Sequence, residues 1–149
     1  MNHNVFFVNM FFSCSFLERC LLPFGSEDGR LLDQSLTASS WLIKHEPERA
    51  RLNQPSGHGR VGAWCTRVNN GHQWLQVNLG KVTKVTGCAT QGRYDANQWV
   101  TRYRISYSKD CRRFYPYKRQ VNFILTSPFA SYSLTRQIRV PFLVCHISF

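Results

Sequence analysis

From Trp74 to Gly80 apolar and polar side chains alternate: Leu75, Val77 and Leu79 are separated by Gln76 and Asn78, and Gly80 closes the run. A period of two sends successive side chains to opposite faces, the mark of a strand with one buried and one wet face. The pattern recurs from Trp99 to Ser108. There Trp99, Thr101, Tyr103, Ile105 and Tyr107 share one face, and Val100, Arg102, Arg104, Ser106 and Ser108 the other. Between the two runs, Lys81 to Gln91 is rich in the β-branched residues Val82, Thr83, Val85 and Thr86, which suit a pleated surface. Convincing helical periodicity is absent. Turn signals punctuate the chain at Glu27-Asp28-Gly29, at Trp41 to Pro47, at Asn53 to Gly62, at Asn69-Asn70-Gly71, at Gly92 to Asn97 and at Ser108 to Cys111. Short strands with regular loops predict an all-β sandwich or barrel with Leu75, Val77, Val85 and Ile105 in its core. Trp64, Trp74 and Trp99 are expected to pack in the core or between strands.

The chain has 149 residues, 43% of them apolar and 18% charged, which suits one folded domain and excludes wholesale disorder. No apolar run reaches the roughly 18 residues of a membrane-spanning helix. Formal net charge is +11, and it is unevenly spread. Met1 to Glu48 carries three basic and six acidic residues, whereas Arg49 to Phe149 carries sixteen basic residues against Asp95 and Asp110. The expected partner is a polyanion: nucleic acid, acidic lipid or sulfated sugar.

The six cysteines, Cys14, Cys20, Cys65, Cys88, Cys111 and Cys145, form no Cys-x-x-Cys pair, which argues against a zinc ribbon or a thioredoxin-type site. Their even number and wide spacing fit a secreted, disulfide-bonded protein; buried free thiols are the alternative. Val5 to Val8 followed by Met10 to Phe12 has the size of a secretory h-region, and it reads either as part of a leader spanning residues 1–19 or as a buried strand.

Several ordered motifs resemble the discoidin domain, the coagulation factor V/VIII type C domain. They are Cys20 to Gly25, Glu27-Asp28-Gly29, Thr37 to Ser40, Ala50 to Asn53, Gly62-Ala63-Trp64, Gln73 to Gly80, Val85 to Arg93, Gln98 to Thr101, Ser106 to Asp110 and Phe114. The resemblance covers Cys20 to about Lys118, so residues 20–118 are expected to form the domain and 119–149 a divergent, incomplete end of it. It implies a jellyroll-like barrel of two packed antiparallel sheets that binds through loops and does not catalyse. It also implies an extracellular cell-adhesion module, secreted or part of a cell-surface protein, engaging cell-surface glycans, matrix or receptor proteins, or anionic phospholipid membranes. This sequence departs from the family at Cys88, where an apolar residue is usual, and at Cys111, where a turn glycine is usual. The terminal cysteine that pairs with the one matching Cys20 is missing, which leaves Cys145 as its candidate partner.

In the lipid-binding members three loops at one end of the barrel present apolar tips ringed by basic residues. Mapped onto this sequence, the first loop is Trp41, Leu42, Ile43, Lys44 and His45. The second is Arg60 with Arg67, Val68, Asn69 and Asn70, and the third runs from Arg93 through Tyr94 and Asp95 to Asn97. The third loop lacks a leucine pair, and Tyr94 and Arg93 beside Asp95 suit a sugar through stacking and polar contacts. No Gly-x-Ser-x-Gly elbow, Walker loop or Gly-x-Gly-x-x-Gly follows a strand, and no carboxylate stands at ligand spacing from His45 or His58, so neither catalysis nor a catalytic metal is expected. No cofactor is expected beyond a structural calcium of the kind some discoidin-like domains hold. Two further readings compete: a non-functional fragment of a larger receptor, and a basic nucleic-acid-binding protein in which Arg102 and Arg104 share a strand face.

Overall fold

The computed structural model of the chain describes residues 5–12, 22–23, 31–93, 96, 98–100, 103–117, 133–135 and 140–148. Among these the regular structure is β. The strands are β1 (Val5–Phe12), β2 (Leu22–Pro23), β3 (Leu36–Ala38), β4 (Trp64–Cys65), β5 (Trp74–Gln91), β6 (Arg104–Ser108), β7 (Tyr115–Pro116), β8 (Ser133–Thr135) and β9 (Val140–Ser148). Two short 3-10 turns, Asp33–Ser35 and Pro47–Ala50, accompany them. All the strand pairings are antiparallel, in the order β2-β1-β5-β9-β6-β7, with β3 and β8 also on β5 and β4 on β1.

β5 is the strand around which the others assemble. It pairs with β9 from Trp74↔Ser148 to Asn78↔Val144, then again from Thr83↔Phe142 to Val85↔Val140, with a register shift between. Gly80 sits in that shift with φ +73, a conformation that glycine adopts without the strain a Cβ brings, and its N–H is held by Asn78 Oδ1 at 2.9 Å. Gly80 therefore does not end the strand, as the alternation suggests; it is the corner of a longer one. Beyond the corner, β5 takes β1 as a partner from Phe12↔Val85 to Phe7↔Gln91. The two residues before Phe7 turn to β4, in the pairs Phe6↔Trp64 and Val5↔Cys65. The apolar N-terminal run thus lies in the sheet as β1.

β9 lies between β5 and β6, with Ile147 opposite both Leu75 and Ile105, and Cys145 opposite both Val77 and Tyr107. Cys20 lies outside the described residues, and with it the pairing to Cys145. Of the stretch expected to alternate from Trp99 to Ser108, Thr101 and Arg102 lie outside the described residues, and β6 covers Arg104 to Ser108. Val100 is buried while Trp99 is 36% exposed, and the alternation holds from Tyr103 to Ile105 before Ser108, on the polar face, is fully buried.

The main core gathers Leu36, Trp64, Val85 and Tyr103 around the expected Leu75, Val77 and Ile105, and all four residues read as core from the sequence are buried. A smaller cluster of Leu52, Ala63 and Cys65 lies under the first loop and takes Leu42 against it. Burying a side chain such as Leu75 or Val85 contributes about 1.5–3 kcal/mol, so these clusters fix where the loops leave the barrel.

Candidate binding loops

The first loop is shaped by a turn over Leu42 to His45, in which the His45 N–H donates to the Leu42 carbonyl at 3.0 Å. Lys44 takes φ +71 in the third position of that turn, which sends the chain back toward the barrel. Side chains then alternate out and in. Trp41 is 46% exposed and Ile43 86%, whereas Leu42 packs on the second cluster. His45 is also turned inward: its Nδ1 lies 3.0 Å from the Ala63 carbonyl. A carbonyl only accepts, so Nδ1 carries the hydrogen. Glu46, the carboxylate of this loop, faces in as well, with Oε1 accepting the Lys44 N–H at 3.0 Å and Oε2 buried.

The second loop is stitched to the first through Gln73, a buried amide. Its Oε1 accepts from the Ser39 and Ser40 hydroxyls at 2.8 and 2.6 Å, and its Nε2 donates to Asn70 Oδ1 at 2.8 Å. Ser40 Oγ also receives the Arg67 N–H at 3.2 Å, which brings Arg67 and Val68 beside Trp41. Trp64, 0% exposed, lies beneath this junction and donates from Nε1 to the Ser40 carbonyl at 3.0 Å. Val68 remains 46% exposed, and Arg67, Asn69 and Asn70 are exposed with it.

Arg60 stands at the end of a four-residue hairpin closed by Gly57 N–H to Arg60 carbonyl at 3.0 Å and its reciprocal at 2.9 Å. Val61 N–H reaches the Lys44 carbonyl at 3.2 Å, so exposed Arg60 is brought next to exposed Lys44. What holds this hairpin is Arg49, which sequence reading does not single out. Its guanidinium donates to the Val61 carbonyl, to Gln54 Oε1 and to the Pro55 carbonyl at 2.7, 3.0 and 2.7 Å. A fixed fork of donors aimed at backbone carbonyls has no local sequence signal. Gly62 is equally constrained, since a Cβ there would collide with the Gln54 carbonyl.

The third loop leaves from Gln91. On β1 the partner of Gln91 is Phe7 and the partner of Trp64 is Phe6, so this loop begins beside the strand from which the second departs. Gln91 Oε1 also accepts the Asn53 N–H at 3.1 Å. Arg93 is half-buried and doubly tied to Gln98, by its N–H to the Gln98 carbonyl at 2.9 Å and by its guanidinium to Gln98 Oε1 at 3.0 Å. Tyr94 and Asp95 lie outside the described residues. The structure thus brings Trp41, Ile43 and Val68 together as apolar points with Lys44, Arg60 and Arg67 around them, and turns Leu42 and His45 away.

The family model of the F5/8 type C domain matches residues 35–140, from the turn before β3 to the first residue of β9. The chain belongs to that family. F5/8 type C domains are binding modules rather than catalysts. Coagulation factor V of Mus musculus is 41% identical over 112 residues, covering 70% of this chain and 5% of that protein. The human EGF-like repeat and discoidin I-like domain-containing protein 3 is 40% identical over 103 residues, 63% of this chain and 21% of that one. This F5/8 type C domain therefore spans only a small part of the relatives it matches. In fold it resembles discoidin II of Dictyostelium discoideum, with a TM-score of 0.62 at 21% identity over 76% of this chain and 47% of that one. It also resembles CpGH89CBM32-5 of Clostridium perfringens, solved in complex with GalNAc-β-1,3-galactose, with a TM-score of 0.59 at 15% identity over 79% and 86% of the two chains. Among the described residues no helix is long and apolar enough to cross a membrane.

Proposed function

We propose that the chain is an extracellular, non-catalytic binding module whose loop end docks on membranes rich in anionic phospholipid. The observation that carries this reading is the tip itself: exposed Trp41, Ile43 and Val68, with exposed Lys44, Arg60 and Arg67 beside them. Each large apolar side chain entering the acyl boundary gains about 1.5–3 kcal/mol. Each nearby cation adds roughly 1 kcal/mol from anionic headgroups. The similarity to coagulation factor V supports a circulating or cell-surface setting, and adhesion is the corresponding cellular role.

The test is sedimentation with vesicles of phosphatidylserine and phosphatidylcholine at low and high salt. Trp41→Ala with Ile43→Ala is expected to weaken binding at both, since burial of apolar surface is not screened. Lys44→Ala, Arg60→Ala and Arg67→Ala together are expected to act mainly at low salt, because exposed charges are screened over about 8 Å at physiological ionic strength. Strong vesicle binding that survives the Trp41 and Ile43 changes overturns the insertion mechanism. Binding to a glycan array that is lost with Arg93→Ala and Tyr94→Ala, yet kept without Trp41 and Ile43, would replace the lipid reading with a sugar site at the third loop.

A further inference from the structure

We propose that the opposite end of the barrel is a second binding pole, for a sulfated glycan chain. β9 fixes the geometry. Its Ser148 lies opposite both Trp74 and Arg104, and its Val144 lies opposite both Asn78 and Ser108. Trp74 follows directly on the second loop, so Asn78 and Ser108 mark the end away from it. From Ser108 the chain enters the turn that returns as β7; from Asn78 it enters the Gly80 corner of β5. Lys109, Arg112 and Arg113 in the turn and Lys81 at the corner are all exposed. β5 and β6 flank a single strand, so the two corners stand roughly 10 Å apart, two interstrand spacings.

The carboxylate of this turn is occupied. Asp110 Oδ1 accepts the Arg112 and Arg113 N–H groups, each at 2.9 Å, and the Ser108 hydroxyl at 2.9 Å. It therefore shapes the turn, and its charge faces backbone amides rather than the arginine head groups. Among the described residues none of the four cations is paired with a carboxylate. A turn with two adjacent guanidinium forks and an ammonium group, beside a second ammonium at the β5 corner, suits the repeated oxyanions of a linear polyanion, because Arg binds such groups bidentately. A lipid surface fits less well, since among the described residues Val82 is the one large exposed apolar side chain at the corner and no apolar triad like that of the loop end stands there. Single-stranded nucleic acid wants open aromatic faces, whereas Tyr115, the exposed aromatic of the hairpin, packs on Tyr107 at 5.9 Å. The inference does not rest on the lipid reading of the loops.

The experiment is surface plasmon resonance of the full chain over immobilised heparin and over chemically desulfated heparin, through a salt series. Lys109→Gln, Arg112→Gln and Arg113→Gln together are expected to weaken heparin binding at least about tenfold and to flatten its salt dependence, as fewer counterions are released. Lys81→Glu, on a different element, is expected to weaken it as well; this change stands alone if the triple variant loses its melting transition. The Trp41→Ala, Ile43→Ala variant is expected to bind heparin as the parent does. The proposal is overturned by unchanged binding of the Lys81→Glu protein, or by loss of binding on changing Lys44, Arg60 and Arg67 instead. Equal binding to desulfated heparin overturns it too, as does stronger competition from a single-stranded oligonucleotide of equal charge.

Discussion

At the loop end Lys44, Arg60 and Arg67 stand around Trp41, Ile43 and Val68; at the hairpin end Lys81, Lys109, Arg112 and Arg113 stand around a turn centred on a carboxylate. The two ends also differ in what supports them. The loops rest on a buried tryptophan and a buried amide, whose bonds span 24 and 33 positions of sequence, and on an arginine clamp that reaches up to 12. The hairpin turn is held by hydrogen bonds between residues two and three positions apart. A like charge can therefore sit on a platform built from the core or on one built locally, and only the first is hostage to the stability of the whole fold.

The largest expected effect tests that dependence. Trp64→Ala removes a fully buried indole and its bond to Ser40, and is expected to cost about 3–5 kcal/mol in urea unfolding. A loss below about 1 kcal/mol would break the idea that the loops are an extension of the core. A smaller effect of opposite sign is expected at the other end. Cys111 adopts φ +59 where the family has a turn glycine, so Cys111→Gly is expected to raise stability by about 1 kcal/mol, with binding at both ends unchanged. A destabilised Cys111→Gly protein would mean that the thiol side chain contributes more than the backbone strain it imposes.

The smallest effect is local. Hydrogen bonds from the Arg113 and Arg112 amides and then from the Ser108 hydroxyl lower the Asp110 carboxyl from 3.8 to about 2. Its stabilising contribution is thus complete above pH 3.8 and is lost as the pH falls through about 2. Amide proton shifts of Arg112 and Arg113 are expected to titrate in that window and to stop doing so in Asp110→Asn. Titration of those amides near pH 4 instead would show that the turn is not closed in solution.

Much of the barrel can be read from residue order. Leu75, Val77 and Ile105 announce themselves by period two, and their burial follows. The errors occur where a non-local contact overrides the period. Gly80 has the look of a terminator because nothing local says that β9 and β1 continue the pairing past it. Val100 is buried although the alternation assigns it to the polar face. At the loops, composition picks out Trp41 and Ile43, but it cannot separate them from Leu42 and His45, whose direction is decided by a positive φ at Lys44 and by the Ala63 carbonyl. The hairpin cations are visible as a basic run, yet Lys81 joins them only through a strand some sixty residues further along.

The place of β9 has a consequence for how the molecule is made. Asn78 and Ser108 become neighbours of one strand only when Val144 arrives, and Trp74 and Arg104 only with Ser148. At about 5–20 residues per second of synthesis, the nascent chain spends a few seconds with β5 and β6 complete and their facing edges open. Open edges invite pairing with other chains, so this is the interval in which a chaperone has most to protect. The hairpin pole reaches its final spacing only in that event, the insertion of a single strand, whereas the bonds that shape the first two loops join residues made long before it.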